Sequence, residues 1–168
     1  MIRSTVLKPA SYVTLLLAAV AVLLPVNARA ENDHLIVPWR RIGPVSLGMT
    51  ATDLVRILGE PTQKNAGPVV TVYHWQDDLA VTVRTDISSV TQICAVSPDY
   101  ATAKGLRPGL PETAMADIMG EPQNSHLYRG WWKLSYTNFY WGGLMVSIPQ
   151  TGFNANHAIR SVCVNYNA

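Results

Sequence analysis

Apolar residues recur at helical spacing in two stretches of the chain. Leu54, Ile57 and Leu58 stand at i, i+3 and i+4, and so do Met115, Ile118 and Met119; each set predicts a short helix with one buried stripe. Helix ends are signalled as well. Thr50 can cap the first helix, with Asp53 three residues on, and Pro111 suits the opening turn of the second. Gly59 and Gly120, each followed two residues later by Pro61 or Pro122, stop the helices. After each helix the period falls to two. Leu79, Val81 and Val83 share one face of a predicted strand, as do Leu144, Val146 and Ile148. Val69 to Trp75 and Trp131 to Trp141 predict the strands before these, ending at turns Gln76-Asp77-Asp78 and Gly142-Gly143, so two hairpins are expected. Val90 to Val96 and Ile159 to Asn165 predict one further strand each.

The two sets of elements follow the same order, and the sequence repeats with them. Leu47 to Pro61 recurs 61 residues later as Pro108 to Pro122, with Gly48/Gly109, Ile57/Ile118 and Gly59-Glu60-Pro61/Gly120-Glu121-Pro122 identical. The expected fold class is therefore α+β with two repeats, residues 31–100 and 101–168. Each is a short helical segment on a three- or four-stranded antiparallel meander, with Ser97 to Lys104 as the connector. A unit of about 60 residues is marginal alone, so the copies are expected to share one continuous sheet around a pseudo-two-fold axis, helices on one face and the other face open.

Composition adds a leader. Arg3 and Lys8 precede the apolar run Leu15 to Leu24, and Ala28-Arg29-Ala30 follows Pro25, which is the layout of a secretory signal peptide over residues 1–30. The run falls short of the roughly 18 to 20 residues of a membrane-spanning helix. Cleavage after Ala30 is expected to leave a periplasmic or secreted chain with no integral membrane segment, carrying 10 basic and 11 acidic side chains. So balanced a surface lacks the field that nucleic acid requires, and no basic run replaces it. Cys94 and Cys163 occupy matching places in the last strands. If those strands meet antiparallel on the axis the two thiols face each other and can bridge in an oxidising compartment; buried thiols are the alternative.

The helix motif Leu47-Gly48-Met49-Thr50, Leu54, Leu58-Gly59 and Pro61 resembles that of the beta-lactamase inhibitor protein family and of the small outer-membrane assembly lipoproteins of the SmpA/OmlA (BamE) type. The tandem arrangement is more similar to the inhibitor. That resemblance implies a doubled helix-plus-four-strand unit forming a concave eight-stranded sheet, and an acidic hairpin loop presented to an enzyme cleft, here Asp77 and Asp78. Solvated turn carboxylates are the plainer account of that pair.

Chemistry-bearing patterns are sparse. His34, His74, His126 and His157 show no metal-ligand spacing, there is no Cys-x-x-Cys, nucleophile elbow or phosphate loop, and no catalytic residue, metal or cofactor is expected. The distinctive feature is aromatic: Tyr128, Trp131, Trp132, Tyr136, Phe139, Tyr140 and Trp141 make up seven of fourteen residues. Adjacent strand residues point to opposite faces, so one member each of Trp131/Trp132 and Tyr140/Trp141 is directed away from the helices. Together with Tyr73, Trp75, Asp77 and Asp78, these residues are expected to line a partner-binding surface, with core packing of Trp131, Tyr136 and Trp141 as the competing account. The function expected is that of an exported, non-enzymatic protein-binding protein that uses the open, concave face of the sheet with these aromatic anchors. The alternatives are an inhibitor of a secreted or periplasmic hydrolase, such as a beta-lactamase, and an accessory of outer-membrane or cell-envelope assembly.

Overall fold

The computed structural model describes residues 34–76, 78–136, 143–150 and 157–165. The expected leader, Asp77, Phe139, Tyr140, Trp141 and Gly142 lie outside these residues.

The described chain opens with three short strands, β1 (Leu35–Val37), β2 (Arg41–Ile42) and β3 (Val45–Ser46). Helix α1 (Ala51–Leu58) follows, then β4 (Gln63–Ala66), β5 (Val70–Trp75), β6 (Leu79–Arg84) and β7 (Ser89–Ala95). After β8 (Ala101–Thr102) come α2 (Thr113–Met119), β9 (Asn124–Tyr128), β10 (Trp131–Ser135), β11 (Gly143–Pro149) and β12 (Ser161–Asn165). Among the described residues the protein is thus α+β, with two helices and two sheets.

The larger sheet has eight strands in the order β4-β5-β6-β7-β12-β11-β10-β9, and every neighbouring pair is antiparallel. Both last strands therefore lie at the centre. There Cys163 is directly opposite Cys94, their Cα atoms 4.0 Å apart, and the two are joined by a disulfide.

Corresponding backbone bonds appear in the two halves. Gly48 N–H donates to Val90 O and Val90 N–H to Met49 O, while Gly109 N–H donates to Ile159 O and Ile159 N–H to Leu110 O. Likewise Thr62 N–H donates to His74 O, and Gln123 N–H to Ser135 O. Each helix stops at a glycine with φ of +79° or +75°, a conformation that a side chain disfavours, and each glycine N–H closes the last turn, on Val55 O and Ala116 O. The N-termini differ. Thr50 accepts from Asp53 N–H, and the Asp53 carboxylate accepts from Thr50 N–H, which completes the capping box. Helix α2 has no side-chain cap; Ala114 N–H donates to Pro111 O instead, in a turn that leads into the helix.

One face of the large sheet carries the core. Leu79, Val81 and Val83 pack with Ile93, Ala95, Val162, Val164, Leu144, Val146 and Ile148, together with Leu54 of α1 and Met115 of α2. The helical stripes are narrower than expected: Leu54 and Met115 are buried, but Ile57 is 37% exposed. The same core includes Ile36, Ile42 and Val45, which belong to a second sheet of order β3-β2-β1-β8. This small sheet was not expected. Its β8 pairs parallel with β1 (Leu35↔Ala101, Ile36↔Thr102), so part of the stretch 97–104 is structural and not merely a connector.

The bridge closes a loop of 69 residues in sequence, for which the chain-entropy account gives about 4 kcal/mol of stabilisation. Replacing Cys94 and Cys163 together by Ala is expected to lower the free energy of unfolding in urea by about that amount. A change below about 1 kcal/mol would contradict the role given to the bridge.

Candidate binding surface

Strand register decides which aromatic residues can meet a partner. Tyr73 and Trp75 are opposite Val81 and Leu79, so both belong to the core face of the sheet. Trp75 is 8% exposed, and its indole N–H donates to Gly59 O at 3.0 Å, tying β5 to the end of α1. Tyr73 is half-buried beside Trp75, ring centroids 6.0 Å apart, and Lys64 stands over its ring at 5.4 Å. Tyr136, also 8% exposed, belongs to the core as well. All three are among the residues expected to line a partner-binding surface, with core packing as the competing account for Tyr136; two of them are buried. Trp75 and Tyr136 fill the core, and Tyr73 packs against it.

Tyr136 differs from Trp75 in one respect. Its hydroxyl is buried with no hydrogen-bond partner among the described residues. Burial, then the charges of Glu121 and Glu112, hold its pKa above the usual phenol value.

The expected acidic turn is only partly described. Asp78 is half-buried; its N–H donates to Trp75 O, and its carbonyl accepts from Val96 N–H. Gln76 in the same turn has a φ of +48°.

The sheet face opposite the core is not uniformly bare. Over its second half Cys163, Ser147 and Ser135 are 1%, 2% and 9% exposed. Lys133 lies on this face, opposite Ser147, and donates to its hydroxyl at 2.6 Å. Desolvation pulls the Lys133 pKa below the ordinary lysine value.

The aromatic surface that does reach solvent lies at one corner of the sheet, where β9 forms an edge. Arg129 and Gly130, with φ of +50° and +80°, make the two-residue turn from β9 to β10. This turn sets Leu127 opposite Trp132 and Tyr128 opposite Trp131. Leu127, Tyr128 and Trp132 are 45%, 53% and 40% exposed, and Trp131 is half-buried. Trp132 shares the face of Leu134, a core residue, while Trp131 points to the opposite face beside Lys133; the expected split of the pair is present. The Arg129 guanidinium lies 5.1 Å from the Tyr128 ring centre, a cation–π contact. Leu127 was not among the expected anchors, because a polar strand Asn124-Ser125-His126 hides it from any alternation reading.

Two shallow cavities, of about 290 and 490 Å3, flank the N-terminal turn of α1 and share Ala51, Thr52 and Tyr73 in their walls. The helix N-terminus there is already satisfied by Thr50 and Asp53. Among the described residues no three His, Cys, Asp or Glu side chains are grouped to hold a metal, and no helix is long and apolar enough to cross a membrane.

The chain matches no protein-family model and no curated protein. Among solved structures it is similar to a DUF4309 family protein (YjgB) from Bacillus subtilis, at 13% identity over 70% of this chain and 78% of that one, with a TM-score of 0.48. It is also similar to an extracellular protein containing an SCP domain from Bacillus anthracis, at 11% identity and a TM-score of 0.46, over 72% of this chain and 44% of that one. A cysteine-rich secretory protein from Staphylococcus aureus gives 11% identity and a TM-score of 0.44, over 71% and 44%. The chain thus spans less than half the length of the latter two proteins. None of the three carries the name of either family that the helix motif resembles.

An unpartnered buried hydroxyl costs about 1 to 3 kcal/mol. Tyr136→Phe is therefore expected to leave stability unchanged or to raise it by about 1 kcal/mol, as measured by thermal unfolding. A loss of that size would show the hydroxyl to be bonded.

Proposed function

We propose that this chain is an exported, non-enzymatic protein-binding protein that grips its partner through the corner made by β9 and β10. The observation that carries the reading is the contiguous exposure of Leu127, Tyr128 and Trp132 around one hairpin. Isolated apolar side chains on a surface are ordinary, but large ones grouped with aromatics and an arginine match the composition of interface anchors. Export is supported by the leader pattern of residues 1–30 and by the bridge between Cys94 and Cys163, since disulfides persist in oxidising compartments.

The scaffold is a doubled unit in this reading. The strand order, the paired glycine stops and the matching backbone bonds of Gly48 with Gly109 and of Val90 with Ile159 support it. The halves have diverged where they meet a partner. At the edge of the first, β4 carries Gln63, Lys64, Asn65 and Ala66; at the edge of the second, β9 carries Leu127 and Tyr128.

The test is capture from envelope extract by the mature chain and by its Leu127→Ala, Tyr128→Ala, Trp132→Ala variant. These side chains are about half exposed, so the variant is expected to unfold within a few degrees of the parent while losing the discrete partner that the parent retains. Undiminished capture by the variant would contradict this surface, and the parent's failure to retain any partner would contradict the function.

A further inference from the structure

The eight-stranded sheet ends in two edges, and they are built differently. Every residue of β4 and of β9 is exposed, so each strand presents outward the main-chain N–H and C=O groups that do not face its single neighbour. Strand β4 has a lysine at its middle, and Lys64 is held there by the Tyr73 ring. A charged lysine on an edge is a recognised guard against strand addition. Strand β9 contains no Lys, Arg, Asp or Glu, and is flanked by apolar side chains on both faces: Leu127 and Trp132 on one, Tyr128 and Trp131 on the other.

Charge narrows the choice of occupant. From Gln123 to Tyr136 there is no acidic residue, whereas Arg129 and Lys133 are basic, and no described carboxylate pairs with either; Lys133 reaches away from β9 to Ser147 of β11, which leaves Arg129 as the cation beside the edge. Lys133 shares the face of Tyr128 and Trp131, and Arg129 stands over Tyr128. The face of Leu127 and Trp132 carries no such charge. An incoming strand alternates its side chains between these two faces. The strand that suits both places acidic residues on the side of Arg129 and Tyr128 and aliphatic or aromatic residues against Leu127 and Trp132. A second copy of this hairpin would set two sets of cations side by side and is disfavoured.

We propose that β9 is a docking edge for an extended acidic–apolar segment of the partner, which adds to the large sheet as a ninth strand. The proposal rests on the protein-binding reading above and names the chemistry of the partner's contact segment. Main-chain hydrogen bonds supply the common attraction, and the alternating side chains supply the selectivity.

The experiment titrates the mature protein with three synthetic peptides. One is an alternating Glu-Val-Glu-Leu-Asp-Val-Glu sequence, the second has lysine at each acidic position, and the third is the acidic peptide with every backbone amide N-methylated. Tryptophan fluorescence reports binding, and residue-resolved hydrogen exchange reports its place. The acidic peptide is expected to bind about tenfold more tightly than the basic one at low salt, with the gap narrowing as salt rises. Arg129→Glu should narrow the same gap, the N-methylated peptide should not bind, and amide protection should rise within 124–128. Equal affinity for the two charge types, binding of the N-methylated peptide, protection at 63–66 instead, or no binding at all would overturn the proposal. Self-association of the free protein with 124–128 protected would overturn it in favour of a second copy. If strand addition fails while capture by the mature chain still depends on Leu127, Tyr128 and Trp132, the docking geometry is wrong and the binding function stands.

Discussion

The pairing of β7 with β12 at the centre of the large sheet is the constraint from which the rest of the architecture follows. Two four-stranded meanders that end in the middle have only this seam to make them one sheet. Its register sets Val162 opposite Ala95 and Val164 opposite Ile93 on one face, with Cys163 opposite Cys94 on the other. A slip of β12 by one residue along β7 would turn Val162 and Val164 away from the helices and separate the sulfur atoms. The bridge therefore records the register, and the apolar face enforces it.

From that seam the distribution of surface follows. Both helices and the small sheet contribute to one core against a single face, and the strands furthest from the seam, β4 and β9, receive least cover. Aromatic side chains near the seam or under a helix end, such as Trp75, are consumed by packing. Those on β9 and β10 are not. The exposed corner is thus a consequence of position in the sheet, and its chemistry differs from that of the opposite edge because Lys64 holds one and Leu127 and Tyr128 the other.

Much of this was legible in the residues. The helix ends were, because Thr50 with Asp53 and the glycine–proline stops act through local backbone chemistry. The inner strands β6 and β11 were, because a sheet covered on one face imposes alternation on them. The facing cysteines followed from strand order. What escaped is equally physical. Strands β4 and β9 are solvent-exposed throughout and carry no apolar alternation, so nothing in Gln63 to Ala66 marks a strand without its partner. The strands of the small sheet are two or three residues long, too short to show alternation, and β8 joins it by pairing with β1 across a wide separation in sequence. The faces of Tyr73 and Trp75 depended on register with Leu79 and Val81, which composition does not encode. Ile57 fitted the helical stripe in spacing but stands at its margin, where α1 turns toward solvent.

Residue-resolved hydrogen exchange of the oxidised mature protein under native conditions tests the seam most directly. Amides of Gln92 to Ala95 and Val162 to Asn165 that bond across it should exchange only with global unfolding, at one common free energy, while those of β4 and β9 exchange faster by local opening. Seam amides that open before the interiors of the two meanders, leaving two separately protected halves, would contradict the account.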